Sequence, residues 1–543
     1  MKKSAAVPAI LLVVSSCTSF APHRKMASSL EDKTIFEDVT DKANVAAKST
    51  TSVTTSDFDN DGMVDFIAHD RLYKNVSTPD QIRFEDVTES ARLMLLQGMP
   101  VFMDVNNDGL LDIVTTKGQL HLQQPGHRYL EVSEKYELKM AEDAMTISFG
   151  DLNGDGFPDL LVGRKEIYEN NVFKFVPPQV FINVDGQSFK EISSEQEMQK
   201  FPAYIRGIAW ADYNNDKSPD IYYSNYRLRQ NFLFQTHKGK MNDVADSAGV
   251  RGEYDTTRHY DEHLKKKFGP LYGHTIGSVW SDLDNDGNFD LFVSNLVHKF
   301  VGTPKNATNY DYRGYVCDDS KVYKNLGAPD YKFADMRATS ELPVKPIGDY
   351  SKYKGDELWA HATAADFDND GLTDIYISQV YNLNYAYSLL FKNKGNFRFK
   401  NVTQLGPKVY DSYAGAWADF NNDGKMDLIV SGREAVDATP RLRVFKNVYE
   451  SDNNYLKLNL IGTKSGKVPV TTQVRVYHDN GLFLKQVEGV TGTLNQQNDP
   501  TLHFGLGEVD NIKKIEIIWS SGLTQTIKDI KANATYTITE GEE

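Results

Sequence analysis

Apolar residues along this chain come in runs of four to six, rich in β-branched and aromatic side chains, and each run stops at a polar turn. Runs of that length and content read as short strands rather than helices. Four kinds of run follow one another in a fixed order. The first is made of small residues, as in GIAWA (207–211) and GAWA (415–418). The second starts directly after the next turn, as in DLLVG (159–163), DIYYS (220–224) and DLIVS (427–431). The third carries a K-N pair, in LYKN (72–75), VYKN (322–325), LFKN (390–393) and VFKN (444–447). The fourth is FEDVT (36–40 and 84–88), with the variants YLEVS (129–133), FKEIS (189–193), MNDVA (241–245), FADMR (333–337) and FKNVT (399–403).

The turn between the first and second runs occurs seven times, and the first three copies are spaced 47 residues apart. Four strands per unit, repeated seven times, predict an all-β fold, a seven-bladed β-propeller over residues 34–450. The later spacings of 61, 70, 84 and 53 residues place insertions in blades four to six. A run of the fourth kind precedes the first turn, and none follows the seventh. Phe36 to Thr40 are therefore expected to complete the last blade, closing the ring and removing exposed sheet edges. An open β-solenoid leaves that offset unexplained.

The turns carry the chemistry. They read DFDNDGMVD (57–65), DVNNDGLLD (104–112), DLNGDGFPD (151–159), DYNNDKSPD (212–220), DLDNDGNFD (282–290), DFDNDGLTD (366–374) and DFNNDGKMD (419–427). Positions 1, 3, 5 and 9 are Asp57, Asp59, Asp61 and Asp65; Asp104, Asn106, Asp108 and Asp112; Asp151, Asn153, Asp155 and Asp159. They continue as Asp212, Asn214, Asp216 and Asp220; Asp282, Asp284, Asp286 and Asp290; Asp366, Asp368, Asp370 and Asp374; Asp419, Asn421, Asp423 and Asp427. Of these 28 positions 24 are Asp. Carboxylates held so close repel one another, which makes a bound cation the physical reason for the cluster. Calcium takes about six to eight oxygens, and alternate acidic positions, a Gly for the bend and a closing Asp at position 9 suit it. Up to seven calcium ions are expected. An EF-hand needs Glu at position 12, where the first three turns have Ala68, Thr115 and Val162. In the fourth turn Lys217 replaces the Gly, so that site is expected to be weak or filled by the lysine ammonium.

Charge and cysteine content narrow the class. A net charge of −15 disfavours nucleic acid as a partner and suits divalent cations. Two cysteines, Cys17 and Cys317, exclude a disulfide framework. Lys2 and Lys3 precede an apolar run from Ala5 to Val14, shorter than the roughly 20 residues a bilayer span needs and fitting the core of a signal peptide. The run ends Val14-Ser15-Ser16-Cys17, which resembles the bacterial lipobox. That resemblance implies a signal peptide over 1–16, lipid attachment at Cys17 and, with Thr18 next, an outer-membrane destination. Residues 17–33 read as a polar tether. The expectation is an exported chain held to the cell envelope by lipid alone.

From residue 453 the pattern changes to YLKLNLIG (455–462), TQVRVYHDNGLFLKQVEGVTG (472–492), PTLHFGLG (500–507) and IEIIWSSG (515–522). The alternation predicts a small β-sandwich-like domain over 453–541. The turns with their flanking strings resemble FG-GAP and VCBS repeats of integrin-α-like propellers. The PTLHFGLG and IEIIWSSG strings resemble the ASPIC/UnbV domain. Together they resemble the cartilage-acidic-protein-like family over about 34–541, and the resemblance implies calcium binding and extracellular interaction without a defined activity.

A charged, Tyr- and His-rich insertion spans 251–274 and holds His259, His263 and His274, while His361 precedes the sixth turn. These histidines read as a transition-metal site or general base, or as a polar loop, and none has zinc-site spacing. The leading reading is a calcium-binding module for a protein or glycan. The alternatives are an enzyme in the central cleft near these histidines and a structural envelope component.

Overall fold

Strands form where the apolar runs fall, and in each of seven four-stranded antiparallel sheets the strands lie side by side in their order along the ring. The computed structural model describes residues 34–542 except 47, 94–95, 170–171, 254–259, 262–265, 268–271, 297–318, 344–356 and 382–385. We number the sheets as blades 1 to 7 in chain order. Their inner strands are Val53–Ser56, Pro100–Met103, Ala144–Gly150, Ile205–Ala211, Thr275–Ser281, Trp359–Ala365 and Tyr410–Ala418. Inner strands of neighbouring blades pack on one another, and the first packs on the seventh, so the blades close into a propeller. Phe36–Asp38 pairs antiparallel with Arg441–Asn447, in the register Phe36 to Asn447, and supplies the outer strand of blade 7. The chain's beginning and the propeller's end are thus one sheet, as the offset of the runs implies.

The K-N pair acquires a reason. Its Asn is buried, and its side-chain amide donates both to its own blade's turn and to the turn of the preceding blade. Asn75 reaches Val64 O and Phe420 O, each at 2.8 Å. Asn325 reaches Tyr213 O at 2.8 Å, Asn393 reaches Leu283 O at 2.8 Å, and Asn447 reaches Phe367 O at 2.7 Å. In blade 3 Asn183 does the same to Val105 O, and in blade 2 Gln123 reaches Phe58 O. One amide therefore staples each of six blade junctions, pairing turn carbonyls that would otherwise be buried without a partner. Replacing Asn447 by Ala should lower stability by about 1–3 kcal/mol, seen as a lower urea midpoint at unchanged slope.

The C-terminal domain has a three-stranded sheet, Leu502–Gly507, Asn454–Ile461 and Ala534–Thr539, and a four-stranded sheet, Gly481–Gln486, Gln473–His478, Lys514–Ile518 and Thr524–Ile527. They share a core of Leu458, Val476, Phe504, Ile517 and Trp519. Between the third and fourth of the seven strands in chain order, Gly481–Gln486 and Leu502–Gly507, the segment 488–498 leaves this domain and enters the centre of the propeller. It meets every blade. Thr55 N donates to Gln497 O at 3.0 Å, Phe102 N to Gln497 Oε1 at 3.0 Å and Ile147 N to Asn495 Oδ1 at 2.9 Å. Leu494 N donates to Arg206 O at 2.9 Å, Ser278 N to Gly492 O at 3.1 Å and Gly415 N to Gln496 Oε1 at 3.3 Å. In blade 6 Thr363 Oγ1 lies 3.5 Å from Asn498 Oδ1. Nothing larger than Gly fits at position 207, where a Cβ would strike the Gly492 carbonyl. The central cleft considered above as an enzyme site is therefore filled along the inner strands by a plug from the second domain.

Candidate metal sites and the channel mouth

Each turn is shaped by carboxylates that collect backbone N–H groups. The position 1 carboxylate accepts from the backbone of positions 5 and 6 in all seven turns, as Asp57 does from Asp61 N at 3.1 Å and Gly62 N at 2.7 Å. Position 4, always Asn or Gly, is left-handed in every turn, from φ 54° at Asn422 to 79° at Gly154. Asn tolerates that conformation better than most residues. Five of these Asn side chains also donate to the position 6 carbonyl of the next turn. Asn60 reaches Gly109 O, Asn107 reaches Gly156 O, Asn285 reaches Gly371 O, Asn369 reaches Gly424 O, and Asn422 returns to Gly62 O, at 2.8–3.2 Å. The turns thus form a nearly continuous hydrogen-bonded circle on one face.

Position 9 does more than close a cage. Its Oδ1 accepts the backbone N–H of the third strand in every blade, as Asp65 does from Asn75 N at 2.6 Å and Asp427 from Asn447 N at 2.8 Å. In six turns Oδ2 accepts the position 2 N–H as well, as in Phe58 N to Asp65 at 3.0 Å. These aspartates tie turn to sheet, and two of them, Asp290 and Asp374, also converge with neighbouring acids.

Position 3 divides the turns into two classes. Where it is Asn (Asn106, Asn153, Asn214, Asn421), the amide donates to the position 5 carboxylate at 2.8–3.0 Å. Where it is Asp (Asp59, Asp284, Asp368), the Lys of the K-N pair reaches it. Lys74 contacts Asp59 and lies 2.8 Å from Asp61. Lys324 contacts Asp284 and lies 2.6 Å from Asp286, and Lys392 contacts Asp368 and lies 3.0 Å from Asp370. The ammonium balances the extra acid. Yet the other oxygen of each position 3 aspartate, Oδ1 of Asp59, Asp284 and Asp368, is buried without a hydrogen-bond partner. The same three turns hold the acidic groups whose ligand atoms lie within 4.8 Å of one another: Asp57, Asp59 and Asp61; Asp282, Asp284 and Asp290; Asp366, Asp368 and Asp374. Converging carboxylates with an orphaned oxygen fit a hard cation.

Burial makes these acids poor at carrying charge by themselves. Desolvation pushes Asp57, Asp104 and Asp212 up to about 6, Asp282 to about 7, and Asp65 and Asp112 to about 8.

The fourth turn keeps the same geometry. Lys217 adopts φ 68°, and its N–H takes the place of the Gly N–H, 3.0 Å from Asp212 Oδ2. Its ammonium points away, 3.4 Å from Gly522 O of the C-terminal domain. The expected filling of this turn by the lysine ammonium is thereby corrected: the backbone bend carries the side chain outward.

The C-terminal domain sits on the face that bears the turns. Lys457 Nζ lies 2.9 Å from Asp419 Oδ2, Arg475 Nη2 is 2.6 Å from Asn215 Oδ1, Asn453 Nδ2 is 2.8 Å from Asp368 O, and Gly507 N is 2.8 Å from Asn369 O. Cys17, Cys317, His259 and His263 lie outside the described residues. His274 and His361 are buried at the opposite end of the channel, away from the turns, in the neighbourhood of Arg206, Tyr204 and Tyr226.

Comparison with known proteins agrees with this division of the chain. Residues 104–162 and 366–430, which span turns two and three and turns six and seven, match the FG-GAP-like repeat, and residues 462–543 match the ASPIC and UnbV family. Four of the propeller's seven turns thus lie in segments similar to the FG-GAP-like repeat, and the domain that caps it is similar to the ASPIC and UnbV family. Cartilage acidic protein 1 of Xenopus tropicalis is 25% identical over 343 residues, covering 61% of this chain and 44% of that protein. The Mus musculus protein of the same name is 24% identical over 379 residues, covering 66% and 50%. The chain thus spans about half the length of these relatives. Among solved structures, an ancestral GH74 enzyme overlaps 92% of this chain and 64% of its own, with TM-score 0.38 and 11% identity. The FG-GAP-like match covers turns two, three, six and seven. It does not by itself account for the plug, the staple amides or the lysine counter-charges.

Proposed function

We propose that this chain is a calcium-loaded binding module of the cell envelope, exported, lipid-anchored at Cys17, and engaging a protein or glycan through its propeller. The FG-GAP-like repeats and the ASPIC and UnbV domain support a binding or adhesion role. The observation that carries the calcium reading is the set of orphaned oxygens on Asp59, Asp284 and Asp368 inside converging acidic clusters. Positions 1, 3 and 5 would hold the ion, with Asp290 and Asp374 adding a ligand in turns five and six. Calcium there neutralises buried charge and fixes the turn circle, which is structural chemistry and requires no reaction.

Lysine competition gives a direct test. An ammonium on positions 3 and 5 must yield before a cation can take those oxygens. Counting ions by native mass spectrometry should show up to seven calcium ions per chain in millimolar calcium. Lys392→Met should tighten uptake at one site by about tenfold, in line with removing a charge at contact distance. A chain that takes up no calcium, in either form, defeats this reading.

A further inference from the structure

Beyond the tip of the plug stands a cation with no counter-charge among the described residues. The inner strands of blades 3 to 7 each shift register near their start, and such bulges re-aim side chains. The residue six before each turn falls there: Met145, Arg206, Ile276, Ala360 and Tyr413, with Thr51 and Gly98 as counterparts in blades 1 and 2. Arg206 is the one charged member of this ring. Its carbonyl accepts from Leu494 N at 2.9 Å. Leu494 and Asn495, with φ of 34° and 57°, form the tight turn at the plug's tip. The plug therefore forms the floor, and the Arg206 side chain stands at the rim.

The guanidinium is set between two rings, its central carbon 4.9 Å from the Tyr204 centroid and 4.3 Å from that of Tyr226. Nη2 donates to Tyr204 Oη at 3.0 Å, while Nε is buried with no hydrogen-bond partner. Among the described residues no carboxylate lies within ion-pair distance of Arg206, and the nearby Glu166 is held by Arg227 at 2.7 Å. A half-buried guanidinium left this way is unfavourable until an anion joins it. Across the channel His361 of blade 6 is 3% exposed, and its Nδ1 has no partner. Burial and the Arg206 charge push this imidazole down to about 3, so it stays neutral. The His274 ring lies 3.5 Å from that of Tyr226, centroid to centroid.

We propose that this mouth binds a carboxylate-bearing sugar, Arg206 pairing with the carboxylate while the sugar ring packs beside the half-buried Tyr226. One cation among neutral groups suits a single carboxylate surrounded by hydroxyls. A peptide rich in acids needs several cations, and this chain has a net charge of −15. The assignment rests on the glycan form of the binding role proposed above.

Calorimetric titration of the full calcium-loaded chain with galacturonate and hyaluronate tetrasaccharides, and with their carboxyl-reduced forms, tests it. The acidic form of at least one should bind about tenfold more tightly than its reduced form. Arg206→Gln should abolish that preference, and Arg206→Lys should retain part of it, both with an unchanged melting temperature. Equal binding of acidic and reduced sugars, an unaffected Arg206→Gln variant, or no binding of either acid at about 10 mM overturns the inference. Binding of neutral glycans alone would do so while leaving the module's binding role standing. Arg206-dependent binding of a polyglutamate peptide, with no uronate bound, would overturn the sugar assignment.

Discussion

Chelating calcium should lower the melting temperature of this protein by about 3–10 °C at pH 8 and by much less at pH 5. The size follows from the turns. Sites of extracellular strength, with Kd of about 0.1–1 mM, each add roughly 0.4–1.4 kcal/mol at 1 mM calcium. Seven such sites sum to about 3–10 kcal/mol, and a chain this long shifts by roughly 1 °C per kcal/mol. The pH dependence follows from the buried acids. Asp57, Asp104 and Asp212 titrate near 6 in the folded state, Asp282 near 7, and Asp65 and Asp112 near 8. An unfolded aspartate titrates near 3.9. Each of these groups thus binds its proton more tightly when folded. Its contribution is fully present below about pH 4 and is lost as the pH climbs through 6 to 8. The chelated protein should therefore melt progressively lower between pH 5 and 8, while the calcium-loaded protein should change little. Differential scanning calorimetry with and without chelator across that range measures both. Parallel curves, with one constant gap at every pH, would contradict the account.

Forcing the plug out of the channel should do comparable damage by a different route. Gly207→Val places side-chain carbon where the Gly492 carbonyl lies. The clash is backbone against backbone-linked Cβ on a strand held by blade pairing, so no flexible group can give way. We expect a loss of about 3 kcal/mol or more, at the upper end for overpacked sites. The C-terminal domain should also become a substrate for limited proteolysis between residues 486 and 502, because those residues lose their hydrogen bonds to all seven blades. Gly62→Val on the turn face meets no atom within 4 Å, though its φ of 84° adds backbone strain. That variant should leave the proteolysis pattern unchanged. Should Gly207→Val melt and digest like the parent chain, the plug is not clamped as described.

Much of this architecture was legible because it repeats. Seven copies of a turn and four kinds of run reveal strand order, and the displaced FEDVT reveals how the ring closes. Repetition also explains what stayed hidden. The K-N string was visible in every reading of the chain, but the work of Asn447 lies in a carbonyl 80 residues away, at Phe367. The pairing of Asp at position 3 with Lys74, Lys324 or Lys392 is a correlation between strings 15–40 residues apart. It becomes meaningful only once the two strings are seen to meet. The plug had no repeat to announce it. GVTGTLNQQN matches none of the repeated strings, and its amides find partners only because Asn495, Gln496 and Gln497 face strands from distant parts of the chain. Lys217 misled for the opposite reason: its sequence position predicted a charge inside the turn, and a backbone φ of 68° sends it out.

The strand Phe36–Asp38, paired with Arg441–Asn447, also sets a schedule for biosynthesis. The first strand among the described residues is made some 400 residues before its partner exists. The segment that fills the axis emerges later still. Contacts of such long reach slow folding and leave edges open to aggregation in the meantime. A chain of this design favours folding that is completed only after its last residues have been made.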